Sequence, residues 1–356
     1  MRRLPIYFLI DVSESMIGDE ILQVEEGIAT IIQELKKDPT SIETVWISVI
    51  VFAGQAKTII PLQEIISFYP PKFPIGSGTY LSRGLGHLMY ELRKNIVKTT
   101  LEKKGDWKPI IFLFTDGVPT DNPSTAIEEW KKEWAKTANM VAISFGDENN
   151  TAILDQLTDN VLLFKNTDST SYQQFFKWVT DSIKMSSMSI QENKTGFELA
   201  DINNDTFLDP KELKNKPPIQ YVDENFVVIT GICQNSKRPY LIKYKKEIVE
   251  SSIGYGLQTR QYRLKGSYAL DHSYSELSAE DYIPKKINTE EIVGVPTCPS
   301  CGNQIALAMC TCGTIHCINT EKINSNGTIS SSCPSCNMNA EYGFGDSGFD
   351  INRAQG

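Results

Sequence analysis

Residues 6–16 read I-Y-F-L-I-D-V-S-E-S-M: five apolar or aromatic residues run into Asp11, and Ser13 and Ser15 follow on alternate positions. The run is short and continuously apolar, the pattern of a strand buried on both faces of a parallel sheet. Such a sheet delivers the aspartate to its carboxyl edge, where ligands bind in open doubly wound folds. A second apolar run, Ile110 to Phe114, leads into T-D-G-V-P-T-D and brings Asp116 to the same edge. Between the two, G-S-G-T-Y-L offers Thr79.

Asp11, Ser13, Ser15, Thr79 and Asp116 make an all-oxygen donor set. Hard divalent cations take such donors, and Mg2+ (or Mn2+) rarely fills its octahedron with protein atoms alone. Three neutral hydroxyls hold the ion without quenching its charge, while the aspartates orient hydroxyls and bound water. One coordination position is left for a Glu or Asp of a protein partner. Each piece alone has a plainer reading, a helix N-cap after a strand or a T-D-G turn; three pieces in order favour the ion. A phosphotransferase with Asp at a strand end needs a second carboxylate two residues on, where Ser13 stands, so the pattern points to binding and not to an enzyme.

Around these motifs the first half alternates strand and helix. Strand-like runs are Ile6–Ile10, Val45–Phe52, Ile110–Thr115, Met140–Phe145 and Val161–Phe164; helical stretches span about Asp19 to Lys37, Tyr80 to Leu101, Thr125 to Thr137 and Ser171 to Met185. The alternation predicts an α/β fold with a doubly wound, mostly parallel sheet over residues 1–187. Trp130 and Trp134 read as a buried helix stripe, and His87 as a surface or packing residue. After Met188 the chain turns polar and Pro217-Pro218 marks a break, so residues 188–219 read as a linker. Runs such as Phe226–Gly231 and Tyr240–Tyr244 open a smaller, mostly β domain over residues 220–356.

The 356-residue chain, with 40% hydrophobic and 22% charged residues, is composed like a soluble globular protein. A formal charge of −9 argues against nucleic acid or an anionic membrane as partner. No apolar run approaches the roughly 20 residues of a membrane span. Met1-Arg2-Arg3 leads straight into a strand that ends in charge, which is not a signal peptide, so a cytoplasmic location is expected.

Seven of the eight cysteines lie between Cys298 and Cys336. C-P-S-C-G (Cys298, Cys301) and C-P-S-C-N (Cys333, Cys336) are zinc knuckles, in which a tight turn aims two thiolates at one ion and Gly or Asn takes the φ > 0 position. The simplest site is Cys298, Cys301, Cys333 and Cys336. Cys310, Cys312, His316 and Cys317 lie between the knuckles and bring the candidate ligands to eight, enough for one or two Zn2+ with the partition open. Cys233, standing apart in a β-type run, reads as a small buried hydrophobe. A third loop, D-I-N-N-D-T-F-L-D-P-K-E at 201–212, sets Asp201, Asn203, Asp205, Phe207 (by its carbonyl), Asp209 and Glu212 at the coordinating positions of an EF-hand. Thr206 stands where the sharp turn wants Gly, so the loop is a candidate for weak Ca2+ binding or a solvated polar loop.

The motifs D-V-S-E-S-M at 11–16, S-G-T-Y-L at 77–81 and T-D-G-V-P-T-D at 115–121, with the cysteine-rich tail, resemble TerY-type proteins of the bacterial tellurium-resistance and stress systems. These join a von Willebrand factor type A (vWA) domain, carrying a metal-ion-dependent adhesion site, to a C-terminal metal-binding domain. The resemblance implies a cytoplasmic, non-catalytic scaffold associated with a PP2C-type phosphatase and a Ser/Thr kinase. It does not extend to the 201–212 loop. Two alternatives stay open at this stage: an accessory subunit that recruits an enzyme through its zinc module, in the manner of a ubiquitin ligase or an AAA+ chelatase, and a Ca2+-gated adaptor.

Overall fold

A computed structural model of the chain describes residues 2–102, 104–115, 118–145, 151–164, 169–191, 197, 199–201, 207–208, 224–250, 258–280, 285–343 and 348–354. The chain divides into two units. The first is Met1–Tyr221 together with Leu277–Ala279; the second is Val222–Glu276 together with Glu280–Gly356.

In the first unit, β1 (Leu4–Asp11) is an interior strand of a parallel array. It pairs on one side with β2 (Val45–Phe52) and on the other with β4 (Ile110–Thr115), followed by β5 (Asn139–Ser144) and β6 (Asn160–Phe164). Antiparallel strands close both edges, β3 (Ala56–Glu64) beside β2 and β7 (Phe207–Leu208) beside β6. The helices are α1 (Asp19–Leu35), α2 (Pro39–Thr44), α3 (Leu81–Asn95), α4 (Ser124–Glu133), α5 (Thr151–Leu154) and α6 (Ser169–Gln191).

Alternation along β1 feeds two cores. Ile6, Phe8 and Ile10 join Val24 and Ile28 of α1 and Phe175 and Val179 of α6, while Tyr7 and Leu9 join Leu85 and Leu88 of α3 and Trp130 of α4. A strand that must be apolar on both faces has no polar period, which is why β1 reads as an uninterrupted run. Helices α1 and α6 approach closely because position 27 is glycine: a Cβ there would lie 2.1 Å from the Phe176 ring.

Several elements depart from the sequence reading. β3 has no continuous apolar run because it is a half-exposed edge strand, where burial on both faces is not required. α3 ends at Asn95, not near Leu101, because Asp106 draws the following chain aside: its carboxylate accepts from Val97 N–H at 2.8 Å and from Arg3 Nε and Nη2 at 2.8 and 2.6 Å. The stretch read as a linker is partly structured. α6 runs on to Gln191, Trp178 Nε1 donates to the Ala200 carbonyl at 2.9 Å, and Phe207–Leu208 extends the sheet. No helix among the described residues is long and apolar enough to cross a membrane.

The second unit is mostly β. Its main sheet has the order β12-β10-β9-β8-β14-β13, from β8 (Phe226–Ile232), β9 (Pro239–Glu250), β10 (Gln258–Ala269), β12 (Ile292–Val293), β13 (Ile305–Met309) and β14 (Ile315–Ile318). A short helix, α7 (Ser273–Leu277), follows β10, and its last residue, Leu277, belongs to the first unit. Two hairpin sheets pair β11 (Lys285–Asn288) with β17 (Asp350–Arg353), and β15 (Ile329–Ser332) with β16 (Asn339–Tyr342). The core gathers Val227, Ile229, Tyr240, Ile242 and Tyr244 around Cys233, Cys298 and Cys317, so thiols occupy space that a larger domain would fill with aliphatic side chains.

Candidate metal centres

At the end of β1 the chain tightens into a turn that buries every polar side chain of the motif: Asp11, Ser13 and Glu14 are fully buried and Ser15 is 1% exposed. Asp11 is fixed from two sides. Its Oδ1 accepts from Ser13 N–H at 2.9 Å and its Oδ2 from the Thr115 hydroxyl at 2.7 Å. The Ser13 and Ser15 hydroxyl oxygens stand 3.0 Å apart. Two oxygens on adjacent corners of an Mg2+ octahedron, each about 2.1 Å from the ion, are separated by about 3.0 Å. The serine pair therefore has the spacing of two cis oxygen ligands of a small divalent cation.

The loop carrying Thr79 is tied to that turn and to the loop after β4. Gly76 N–H donates to the Val12 carbonyl at 3.0 Å, and the Ser77 hydroxyl to Glu14 Oε2 at 3.2 Å. Thr79 N–H donates to the Thr120 hydroxyl at 2.8 Å, and Thr120 N–H to the Thr79 carbonyl at 3.0 Å. Next to them Asp121 Oδ2 accepts from Ser82 N–H at 3.0 Å. Burial raises the pKa of Asp121 against the hydrogen bonds that lower it. Asp116 lies outside the described residues. Thr115, Glu14, Ser77 and Thr120 are supports that the sequence reading missed. Thr115 and Thr120 sit inside the quoted T-D-G-V-P-T-D segment and Glu14 inside D-V-S-E-S-M, so their positions were visible while their partners were not.

In the second unit all eight cysteines fall into two groups of four, Cys233, Cys298, Cys301 and Cys317, and Cys310, Cys312, Cys333 and Cys336, with the sulfurs of each group within 4.8 Å of one another. Cys301–Cys317 and Cys310–Cys336 are each 3.6 Å apart, and Cys312–Cys333 3.7 Å. Four sulfurs about 2.3 Å from one Zn2+ stand about 3.8 Å apart at tetrahedral angles, whereas a disulfide needs about 2.05 Å. Both groups thus fit a tetrahedral thiolate metal site.

This partition corrects the simplest site drawn from the sequence, since the Cys298/Cys301 and Cys333/Cys336 knuckles serve different groups. It also corrects Cys233, which stands at the end of β8 as the fourth member of the first group, and His316, which belongs to neither. The His316 ring is fully buried; Nδ1–H donates to the Cys317 carbonyl at 3.1 Å, leaving Nε2 to accept from the Tyr342 hydroxyl at 2.9 Å. Burial lowers the His316 pKa, and the two hydrogen bonds occupy both ring nitrogens.

The four turns share one construction. Cys233, Cys298, Cys310 and Cys333 each donate a backbone N–H across the turn, to the carbonyls of Arg238, Asn303, Thr314 and Met338 at 2.8 to 2.9 Å. Each turn contains a positive φ, at Lys237 (58°), Gly302 (77°), Gly313 (86°) and Asn337 (58°). The first turn, C-Q-N-S-K, is a knuckle whose second cysteine is Ser236. The spacing Cys-x-x-Ser-Lys matches Cys-x-x-Cys-Asn, and that was the available signal. Cys317, on β14, supplies the sulfur that Ser236 cannot. Sulfur charge is met by donors: Gln234 N–H reaches Cys317 Sγ at 3.2 Å, Asn303 Nδ2 the same sulfur at 3.4 Å, and Ser236 N–H Cys233 Sγ at 3.4 Å. Contact with the Thr314 hydroxyl, helped by its backbone N–H, pulls the Cys312 thiol down to about 6, whereas burial pushes Cys317 up.

Of the 201–212 loop, Asp201 is exposed and Phe207 pairs with Phe164 in the sheet. Asn203, Asp205, Asp209 and Glu212 lie outside the described residues. Trp130 and Trp134 are buried in the second core of the first unit, and His87 Nε2 lies 2.8 Å from the Thr58 hydroxyl.

Residues 6–178 match the von Willebrand factor type A domain family, and residues 223–356 match the TerY-C metal binding domain family. Among solved structures, the chain is similar to proximal thread matrix protein 1 from the mussel byssus, at 19% identity over 51% of this chain and 48% of that one, with a TM-score of 0.37. It is also similar to BatB from Bacteroides thetaiotaomicron, at 15% identity over 54% of this chain and 100% of that one, TM-score 0.35. A third is the PilB minor pilin from Streptococcus sanguinis, at 14% identity over 51% of this chain and 61% of that one, TM-score 0.39. The chain thus spans about half the length of the mussel protein. No curated protein matches.

Proposed function

Because the chain joins a von Willebrand factor type A domain to a TerY-C metal binding domain, we propose that it is a non-catalytic scaffold that captures a carboxylate of a protein partner through a divalent ion. The observation that carries this reading is the buried Asp11–Ser13–Ser15 turn, with two hydroxyls 3.0 Å apart and the aspartate held by Thr115. When bound, Mg2+ or Mn2+ supplies an open coordination position for the partner's Asp or Glu. Ser13, Ser15 and Thr79 would hold the ion, and Asp11 orients the hydroxyls, with Asp116 in the same role. The two four-cysteine groups each hold one Zn2+ and stabilise the second unit.

The TerY-type resemblance supports a PP2C-type phosphatase and a Ser/Thr kinase as the partners, in a cytoplasmic stress-response circuit. A pull-down of both candidates by the full chain, with Mg2+ and with EDTA, tests this. Capture should require Mg2+ and vanish in Asp11→Ala while the zinc content stays unchanged. Capture at equal strength in EDTA refutes the metal-bridged reading.

A further inference from the structure

Leu277–Ala279 belongs to the first unit although the chain on both sides of it belongs to the second. It runs between the turn after β2 and the loop that carries Thr79. Gln55 N–H donates to the Leu277 carbonyl at 2.8 Å, Ala279 N–H to the Ser77 carbonyl at 3.0 Å, and Ser77 N–H to the Ser278 hydroxyl at 3.0 Å. The segment thus engages Ser77 at both its N–H and its carbonyl, two residues before Thr79. The Leu277 side chain is 2% exposed and sits in the core formed by β1, α1 and α6.

The receiving surface is cut for this segment. A Cβ at Gly54 would stand 2.0 Å from Ala279 N, and one at Gly76 would stand 2.6 Å from Leu277 Cβ. Real Cβ atoms do not approach so closely, so any larger residue at either position would displace the segment. Ser77 links it to the metal turn as well, because its hydroxyl donates to the buried Glu14 carboxylate.

We infer that Leu277–Ala279 is a strap that holds the Thr79 loop in its metal-binding position, so that ion affinity at the Asp11–Ser13–Ser15 turn depends on a segment about 200 residues away along the chain. The backbone of Ser77 is engaged at both polar groups, which restricts the peptide units leading through Gly78, at φ +86°, into Thr79. Leu277, Ser278 and Ala279 touch no ion; they act as positioning residues. Groups that orient metal ligands from outside the coordination sphere typically change metal affinity by about 10- to 100-fold when removed. The other ties on the loop, from Val12, Ala53 and Thr120, remain, so the strap belongs at the lower end of that range.

This inference rests on the metal-site reading above, and the test separates the two. Mn2+ affinity is measured by titration calorimetry and by the loss of the free-ion electron paramagnetic signal. The samples are the full chain, Ser278→Ala and Leu277→Ala, with zinc content and amide exchange at Ser77 recorded alongside. Each variant should bind Mn2+ about tenfold more weakly, keep its zinc, and exchange the Ser77 amide faster. Ser278→Ala removes one hydroxyl at a half-buried position, so it keeps the test decisive if Leu277→Ala unfolds. Variants that lose thermal stability yet bind Mn2+ as wild type does show a merely structural segment and overturn the strap. A wild-type chain that binds no Mn2+ refutes the metal site, and the strap's role falls with it.

Discussion

Replacing Cys233 by serine tests the second unit most sharply, because the sequence alone places this residue outside the metal sites. Cys233 is fully buried, and its sulfur lies with those of Cys298, Cys301 and Cys317. Three elements meet there: the end of β8, the Cys298 knuckle and β14, whose His316 pairs with Ile232. A structural Zn2+ in a small domain contributes roughly 10–16 kcal/mol of apparent binding free energy. If four thiolates share it evenly, one is worth about 3 kcal/mol, or about 10²-fold in zinc affinity. Serine is a poor zinc ligand and also leaves a buried hydroxyl, which costs a further ~1–3 kcal/mol if unpaired. Cys233→Ser should therefore lose one of two Zn2+ when dialysed against a mild chelator, as counted by elemental analysis, and unfold its second unit at lower denaturant. Co2+ substitution gives an independent reading, since thiolate-to-cobalt absorption scales with the sulfurs bound. His316→Ala is the control and should keep both ions, while losing the contacts to Tyr342 and the Cys317 carbonyl. A Cys233→Ser protein that retains two Zn2+, together with a His316→Ala protein that loses one, refutes the eight-cysteine partition.

Thr115→Val removes the hydroxyl that holds Asp11 Oδ2 and should weaken Mn2+ binding about tenfold at unchanged fold; calorimetry with equal affinities would show that Thr115 plays no part. Gly27→Ala places a methyl where the Phe176 ring stands, so α1 and α6 must separate at a cost of about 1–3 kcal/mol; an unchanged midpoint in urea unfolding would contradict the packing described. The raised Asp121 pKa has a defined sign: the folded state prefers the protonated carboxyl, so this group's contribution is greatest below the unfolded pKa and declines as pH rises through the raised one. Asp121→Asn should flatten that fall in thermal midpoints measured across the acid range, and an identical slope in wild type and variant would exclude the effect.

Local chemistry was legible in the sequence. The run from Ile6 to Asp11 announces a strand buried on both faces, because a parallel sheet covered by helices demands apolar residues at every position. Asp11, Ser13 and Ser15 lie within one turn, so their spacing already brings the oxygens together, and the C-P-S-C turns announce thiolate pairs in the same way. Half-exposed β3 carries no comparable signature, since only one of its faces must be apolar.

What the sequence could not decide was which distant pieces meet. Local spacing fixes the two sulfurs of a knuckle but not the other two ligands of the ion, which are chosen by strand pairing. β8 lies beside β14, and this pairing brings Cys233 to the remote Cys317 while His316 turns to Tyr342. The Leu277 strap is of the same kind: its three residues have no motif, and only the room left by Gly54 and Gly76 marks where they bind. The amino-acid sequence thus determined the chemistry of each short segment, because neighbours along a chain are held at fixed geometry by the backbone. The tertiary fold decided the composition of each centre, because contacts between remote segments depend on which faces and edges the packed sheets leave to be filled.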